Sequence, residues 1–291
     1  MSVGARATRP EDITTAVVES FDGTPDPRLR EVLQSLVRHL HDFAREVGLT
    51  QAEWGAGIRY LTEVGDITDE RRQEFILLSD TLGLSMLVDA LAYGQSDGAT
   101  ESTVLGPFWV PGSPLRGYGE SIAEQPSGAP AWVFGRVTDT DGNAVAGAEL
   151  DVWQNGDNRL YAVQDPEAPE AHLRGRFVTR DDGSYAFLAE RPLAYPIPDD
   201  GPVGRMLDAT GRHPWRPAHI HIIVTAPGHR KLTTHIFDSE SDYLDSDAVF
   251  AVKPSLLRDF VPRPADDAER PAGVTGEWFS VENDIVLLPA S

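Results

Sequence analysis

Two histidines lie two positions apart in an otherwise apolar segment, residues 216–224 (RPAHIHIIV), which is typical of a buried β-strand. Since side chains alternate along a strand, His219 and His221 are expected on the same face. Two neutral imidazoles gain little from each other, whereas a metal ion would bind one nitrogen of each. The pair therefore predicts a metal site, although a chain with eight histidines can also contain such a motif by chance.

The composition restricts the metal and its other ligands. The chain has no cysteine, which excludes disulfides, iron–sulfur clusters, thiolate zinc sites and cysteine nucleophiles. It lacks the HExxH motif of metalloproteases, and the HxH pair has a histidine where ferrous oxygenases usually have a carboxylate. The remaining ligands are therefore carboxylates, another histidine or tyrosines. A zinc hydrolase built on the HxH pair is disfavoured, because its carboxylate ligands are not evident.

Tyrosine is a candidate ligand because its phenolate is a hard, anionic oxygen donor. The free phenol has a pKa of about 10, so only a strongly acidic cation such as ferric iron would keep it deprotonated near neutral pH. Tyr161 and Tyr195 lie where predicted strands run into loops, where functional sites are commonly built. Spacing alone does not select these two from the seven tyrosines of the chain.

The overall charge argues against several classes of partner. The 291 residues include 25 basic and 46 acidic side chains, which gives a formal net charge of −21. Such a surface repels phosphate backbones and anionic lipids, so we expect no nucleic-acid binding. The N-terminal sequence lacks the apolar core of a signal peptide, and there is no run of about 18 apolar residues. We therefore expect a cytoplasmic protein without membrane insertion.

The N-terminal part of the chain has the periodicity of α-helices. Apolar residues recur at three- and four-residue spacing through residues 29–47. Asp26 is a predicted N-cap, with Pro27 at the first helical position and Gly48 just past the end. Residues 50–53 (TQAE) form a predicted capping box that begins a second helix.

A third helix is predicted over residues 69–92, capped by Thr68. It is apolar on most sides, which indicates that it is buried or shared with a partner chain. The turn-rich segment 94–100 (GQSDGAT) is the predicted boundary between a helical domain, residues 1–100, and a second domain, residues 101–291.

Beyond residue 100 the periodicity changes to that of β-strands. Residues 131–154 and 174–188 are each predicted as strand, turn and strand, around Asp141-Gly142 and Asp182-Gly183. Short strands with Gly and Asp turns indicate a mainly β protein whose catalytic domain is an antiparallel β-sandwich, preceded by an α-helical dimerisation or linker domain. The strand pattern alone would also suit a non-catalytic, transthyretin-like binding module.

Four long segments resemble the intradiol ring-cleaving dioxygenases. They are STVLGPFWVPGSP (102–114), GRVTDTDGNAVAGAELDVWQNGDNRLYAVQD (135–165), LAYPIPDDGPVG (193–204) and RPAHIHIIVTAPGHRKLTTHIFDSESDYLDSDAVF (216–250). Within the family, ATESTVLGPF and TTHIFDSESDYLDSDAVF resemble the hydroxyquinol 1,2-dioxygenase branch. The helical N-terminal part is similar to the helices through which these enzymes dimerise.

The resemblance implies an activity and its partners. It implies a non-haem Fe(III) enzyme that opens hydroxyquinol (benzene-1,2,4-triol) with O2 to give maleylacetate (3-hydroxy-cis,cis-muconate). Catechol or a chlorocatechol is the alternative substrate, since a few pocket residues can shift the preference between related rings. It also suggests a homodimer formed through the N-terminal helices. The apolar surface of these helices is expected to be able to bind a lipid as well.

The same resemblance assigns roles to individual residues. It makes Tyr161, Tyr195, His219 and His221 the ligands of a ferric ion, with Tyr195 as the axial tyrosinate that leaves when substrate binds. Arg216 matches the arginine beside the reacting carbons, where a guanidinium would stabilise charge on oxygen. Matches to residues that line the substrate pocket are Leu77, Asp80, Val104, Leu105, Gly106, Phe108 and Val249.

Two of the matching positions, Asp80 and His235, are polar. Asp80 is the candidate for reading the third ring hydroxyl, because a carboxylate accepts hydrogen bonds strongly; the alternative is an ordinary polar helix residue. His235 stands where catechol-cleaving relatives have glutamine. It is expected either to support a ligand or to pack in the core, and not to bind the metal.

Overall fold

The computed structural model describes residues 9–93 and 98–290, in two compact units, Met1–Thr62 and Glu63–Ser291. The helices are α1 (Pro10–Ser20), α2 (Pro27–Glu46), α3 (Gln51–Asp66), α4 (Glu74–Thr81), α5 (Leu84–Tyr93) and α6 (Pro202–Ala209). The strands are β1 (Pro130–Asp139), β2 (Glu149–Trp153), β3 (Arg174–Val178), β4 (Ser184–Glu190), β5 (Tyr195–Pro196), β6 (Trp215–Arg216), β7 (His219–Thr225), β8 (Leu232–Asp238), β9 (Leu257–Arg258), β10 (Val261–Arg263), β11 (Trp278–Glu282) and β12 (Ile285–Leu287).

Local capping fixes the ends of α2 and the start of α3 as the sequence predicts. The carboxylate of Asp26 accepts hydrogen bonds from the backbone N–H groups of Arg28 and Leu29. Past α2 the chain turns at Gly48, which has a φ of +60°. The capping box is present: Thr50 Oγ1 accepts from Glu53 N at 3.3 Å, and the Glu53 carboxylate accepts from Thr50 N at 2.8 Å.

The predicted third helix is two helices, and its predicted start at Thr68 is wrong. The first, α4, begins at Glu74, and Thr68 Oγ1 instead donates to the Val64 carbonyl at the end of α3. Gly83, with a φ of +73°, separates α4 from α5, and the two helices are bent by 75°. A continuous apolar composition hid this break, because glycine alone adopts positive φ without strain.

The strands form two five-stranded sheets and one two-stranded sheet. One large sheet has the order β10-β11-β1-β12, with β4 also paired to β1, and the other has the order β3-β2-β7-β8-β9. Strands β5 and β6 pair separately. Most pairings are antiparallel as predicted, but β1 pairs in parallel with β11 and β12, and β8 with β9, so both large sheets are mixed.

Apolar side chains from both large sheets form one core. Val133, Phe187 and Val281 come from the first sheet, and Val152 and Ile222 from the second. This shared core confirms the predicted sandwich, which follows the helical N-terminal part in the chain. The two segments predicted as strand, turn and strand do form strands, but β1 and β2 lie in different sheets, as do β3 and β4. After each turn the chain therefore crosses to the other layer, and the two named strands that flank the turn do not pair with each other.

The compact units divide between Thr62 and Glu63, whereas the sequence places the domain boundary at residue 100. The difference arises because α4 is tied to the sheet-containing unit. The buried Glu74 accepts from the backbone of Val203 at 3.1 Å, and Arg72 binds Asp200 at 2.7 Å. Residues 94–97 of the turn-rich segment lie outside the described residues.

No single helix among the described residues is long and apolar enough to cross a membrane. The bent pair of α4 and α5 meets the criteria of length and composition only when the two are taken together.

Candidate metal centre

Strand β7 presents both histidines of the HxH pair to the same buried site. Its register places His221 opposite Trp153 of β2 on one side and opposite His235 of β8 on the other. The indole of Trp153 stacks on the His221 ring, with centroids 4.5 Å apart and planes 12° apart. His219 is held differently, because its Nδ1 lies 2.7 Å from the carbonyl oxygen of Pro217. Since a carbonyl only accepts, that nitrogen carries the proton and Nε2 presents its lone pair to the site.

The short sheet of β5 and β6 brings Tyr195 and Arg216 together. The two residues are directly paired in its register, so segments 21 positions apart meet at one point. Tyr161 arrives from the loop after β2, where its backbone N–H donates to the side chain of Gln164 at 3.1 Å. The ring of Phe108 stacks on Tyr161 at 4.6 Å. Strands β5 and β6 and the loop after β2 therefore all end at the face of β7 that carries the histidines.

The four predicted ligand atoms form a compact cluster. Tyr161 Oη lies 3.2 Å from Tyr195 Oη, 3.4 Å from His219 Nε2 and 3.0 Å from His221 Nε2, and the two Nε2 atoms are 3.1 Å apart. Donor atoms bound about 2.0–2.2 Å from one metal ion are about 2.8–3.6 Å from one another. These four separations all lie in the range expected for ligands of a single ion.

Burial sets the protonation of these groups. All four residues are at most 2% exposed. Burial lowers the pKa of His219 and of His221 well below the ordinary value, so both imidazoles are neutral, the form that binds a metal. Burial raises the pKa of Tyr161 and of Tyr195, which keeps the phenols protonated unless a cation binds. A donor set of this kind favours a strongly acidic cation over a weak one.

Arg216 is the buried cation of the site. Its Nη1 donates to Tyr195 Oη at 3.4 Å and lies 3.2 Å from His219 Nε2. Its Nε donates to the carboxylate of Asp247 at 3.1 Å. Burial lowers the pKa of Arg216, but the negative charge of Asp247, joined by that of Tyr195 and Tyr161 when they ionise, outweighs burial and raises the pKa above its ordinary value. The guanidinium therefore stays charged beside the cluster.

Comparison with known proteins places this chain in a family. Residues 104–287 match the family described as dioxygenase, and residues 26–100 match the catechol dioxygenase N terminus. The chain is 53% identical to the hydroxyquinol 1,2-dioxygenase of Nocardioides simplex over 97% of this chain and 96% of that protein. This chain belongs to the intradiol ring-cleaving dioxygenases.

Two further relatives of this dioxygenase extend the comparison. The 6-chlorohydroxyquinol 1,2-dioxygenase of Cupriavidus pinatubonensis is 51% identical over 86% of this chain and 91% of that protein. The crystal structure of a hydroxyquinol 1,2-dioxygenase from Pseudomonas putida DLL-E4 superposes with a TM-score of 0.88 at 52% identity, covering 97% of this chain and 99% of that one.

The predicted pocket residues of the dioxygenase differ in how clearly they meet the cluster. Phe108 does so directly by stacking on Tyr161. A Cβ on Gly106 would lie 3.3 Å from His221 Cε1, so only glycine leaves that ring undisturbed. Leu77 lines a cavity of about 470 Å³ together with Phe108. Asp80 is buried on α4, close enough to Arg216 to interact electrostatically.

The remaining pocket predictions rest on position only. Val249 is buried and follows Asp247 by two residues. Val104 is buried and Leu105 is partly exposed, and the two precede Gly106 directly in the chain. No side-chain contact of Val104 or Leu105 with the cluster is recorded among the described residues, so their role stays a prediction.

Sequence reasoning left three residues of the site unassigned or undecided. The ring of His235 lies 4.2 Å from His221 and 4.8 Å from His219, and nitrogens of the three rings lie within 4.8 Å of one another. Within the described part of the chain, neither nitrogen of His235 has a hydrogen-bond partner. Trp153 carried no signal, because it is one apolar residue of a strand, and Asp247 is one acid in an acidic segment.

Proposed function

We propose that this dioxygenase opens hydroxyquinol between its two adjacent hydroxyls, consuming one O2 per ring and giving maleylacetate, the keto form of 3-hydroxy-cis,cis-muconate. The observation that carries the proposal is the buried cluster of two phenols and two imidazoles, in which Tyr161 Oη lies within 3.4 Å of the other three donor atoms. It is supported by the relatives named hydroxyquinol 1,2-dioxygenase, at 44–53% identity.

We further propose ferric iron as the metal, held by Tyr161, Tyr195, His219 and His221. Two phenols with raised pKa values favour a cation acidic enough to deprotonate them, and zinc would gain less from this set. Bound there, ferric iron would supply Lewis acidity and a template for a chelating diol.

The residues of the chain then handle protons and charge. Tyr195 Oη, once ionised, would accept the proton of an incoming ring hydroxyl, because burial raises the pKa of this phenol and makes its phenolate a strong base. Arg216 donates from Nη1 toward Tyr195 Oη, so its charge faces the place where negative charge grows on oxygen. Both side chains are at most 2% exposed, which keeps the guanidinium's interactions free of solvent screening.

We assign recognition of the third hydroxyl to Asp80 and the walls of the pocket to Leu77, Val104, Leu105, Gly106, Phe108 and Val249. A buried carboxyl group can accept a hydrogen bond from a ring hydroxyl that catechol lacks. A site built to hydrogen-bond a hydroxyl rejects the analogue without it more strongly than an apolar pocket does. Asp80 therefore favours the triol over catechol.

Substrate and metal are tested on the same preparation. Oxygen uptake by the iron-loaded enzyme is measured with hydroxyquinol, catechol and a chlorocatechol, and we expect the highest kcat/KM with hydroxyquinol. A higher kcat/KM with catechol would contradict the substrate assignment. Zinc-loaded protein with the same activity as iron-loaded protein would contradict the assignment of ferric iron.

The ligand set is tested by iron content. Tyr161→Phe removes one donor, and we expect it to purify with less iron than the wild type. Tyr185→Phe is the matched control, since Tyr185 is another buried phenol whose hydroxyl donates to the Asn283 carbonyl at 2.6 Å. Equal iron content in the two variants would contradict the assignment of Tyr161.

We also propose that α2 contributes to a homodimer. Its apolar stripe is between 44% and 55% exposed, which is unusual for side chains of this size in a monomer. The stripe consists of Leu29, Val32, Leu36, Leu40, Phe43 and Val47. Leu36→Glu should halve the mass in light scattering after gel filtration, whereas Arg38→Glu on the same helix should not.

Two outcomes decide what covers the stripe of α2. A wild-type monomer would refute the dimer. A lipid recovered by solvent extraction from the wild type, and lost in Leu36→Glu, would support a bound lipid as the occupant of this surface.

A further inference from the structure

We propose that Asp247 is a positioning residue of this reaction, which holds the guanidinium of Arg216 so that its Nη1 faces Tyr195 and His219. The inference rests on the proposed function, since that function assigns Arg216 to the charge that develops on substrate oxygen. Among the described residues Asp247 makes no hydrogen bond to a predicted metal ligand, so it would act through Arg216.

The hydrogen bonds divide the guanidinium into two edges. Asp247 Oδ1 accepts from Arg216 Nε at 3.1 Å, and Oδ2 accepts from Nη2 at 3.5 Å. The third nitrogen, Nη1, lies 3.4 Å from Tyr195 Oη and 3.2 Å from His219 Nε2. Because the guanidinium is planar and rigid, fixing the first edge also fixes the position of Nη1.

The carboxylate is itself held by the backbone. Asp247 Oδ1 accepts from the N–H of Val249 at 3.3 Å, and Oδ2 from the N–H of Ala251 at 3.0 Å. Its side chain is 1% exposed, so water does not compete for these bonds. Asp247 therefore joins Arg216 to the turn that carries Val249, a proposed wall of the substrate pocket.

The charge of Asp247 has a second consequence. Arg216 would otherwise be an unpaired buried cation next to a site that binds a metal cation. Removing one partner of a buried ion pair is strongly destabilising, because the other charge is left without compensation. A loss of activity in one variant would therefore not separate positioning from folding, and the experiment needs a cycle of variants and a matched control.

The cycle consists of Asp247→Asn, Arg216→Lys and the double variant. Lysine keeps the charge of Arg216 but cannot reach Asp247 and Tyr195 at the same time, so both single variants should lose about 10²-fold in kcat with KM changed less than about threefold. If Asp247 acts through Arg216, the double variant should lose no more than about threefold beyond Arg216→Lys.

Asp238→Asn is the control for a broken buried ion pair. Asp238 is also buried, and its carboxylate lies 2.7 Å from Arg191 Nε. Arg191 is not one of the cluster residues. Asp238→Asn should lower the melting temperature, though less than Asp247→Asn because Arg191 is 25% exposed and keeps Glu240 as a partner, while leaving kcat within about twofold of the wild type. The visible absorption of the iron-loaded protein gives a readout besides activity: it should shift in Asp247→Asn, because Nη1 no longer faces Tyr195, and not in Asp238→Asn.

Three results would overturn the inference. The first is an Asp247→Asn variant that matches Asp238→Asn in kcat and absorption. The second is a double variant in which the two losses of kcat multiply to about 10⁴-fold, and the third is an Arg216→Lys variant with wild-type kcat. The last result is decisive even if Asp247→Asn does not fold. Failure of the wild type itself to consume O2 with hydroxyquinol would instead refute the proposed function, and the absorption comparison would still decide the role of Asp247.

Discussion

Replacing Asp80 with asparagine should stabilise the protein and weaken its preference for the triol. Asp80 is 2% exposed, and burial raises its pKa from 3.8 to about 6, against smaller opposing effects of Ser85 and Arg216. A difference of about 2 pKa units is worth about 3 kcal/mol, since each unit is about 1.4 kcal/mol. That is the free energy lost when the carboxyl group ionises in the folded protein.

The direction of the pH dependence of stability follows from which state, folded or unfolded, binds the proton of Asp80 more tightly. The folded state holds the proton of Asp80 up to about pH 6, and the unfolded state releases it near pH 3.8. The loss of stability caused by ionised Asp80 is therefore absent below about pH 4, develops between pH 4 and 6, and is constant above pH 6. Asp80→Asn should melt on the order of 5–10 °C above the wild type at pH 7.5 and at nearly the same temperature at pH 4.

The assay is thermal unfolding of the metal-depleted protein across this pH range, with Asp141→Asn as a control that removes one exposed carboxylate of a turn. In iron-loaded protein the stability gap should be smaller, because a nearby cation favours the ionised carboxyl group. The ratio of kcat/KM for hydroxyquinol to that for catechol should fall by on the order of 10-fold or more. A stability gap that is the same at pH 4 and pH 7.5 would refute the pKa argument.

Two further predictions concern the cluster. Gly106→Ala should lose about 1–3 kcal/mol of unfolding free energy through its φ of +75°, and it should also bind iron less tightly, since its Cβ would press on His221. Gly211→Ala, with a φ of +68° and open space around it, should lose stability but not iron. Equal iron retention in the two variants would contradict the contact with His221. Tyr195→Phe should retain iron but change the visible absorption and slow turnover, whereas wild-type turnover would refute its role as proton acceptor.

Local features of the fold were predictable because they depend on neighbouring residues. The caps of α2 and α3 require only Asp26, Gly48 and the Thr50–Glu53 pair. Features that depend on distant partners were not: nothing in β1 indicates that it pairs in parallel with strands some 140 residues later. The break at Gly83 was hidden for a related reason, since one glycine in an apolar run changes the direction of the chain without changing its hydropathy.

The candidate site divides in the same way. Strand periodicity was enough to put His219 and His221 on one face, because the two lie on one element. Tyr161 and Tyr195 reach the site from a loop and from the β5–β6 pair, so their proximity depends on tertiary structure and came only from family resemblance. Asp247 had no signal at all, since its function depends on a buried partner 31 positions away.

The central claim is intradiol cleavage of hydroxyquinol, and product analysis under ¹⁸O₂ tests it most directly. The iron-loaded enzyme is given hydroxyquinol under labelled oxygen, and the product is identified by mass spectrometry before exchange with water. We expect maleylacetate with labelled oxygen in both new carboxyl groups, in a one-to-one ratio to the O2 consumed. An aldehyde product, which would place the cleavage outside the diol, or carboxyl oxygen derived entirely from water, would contradict the claim.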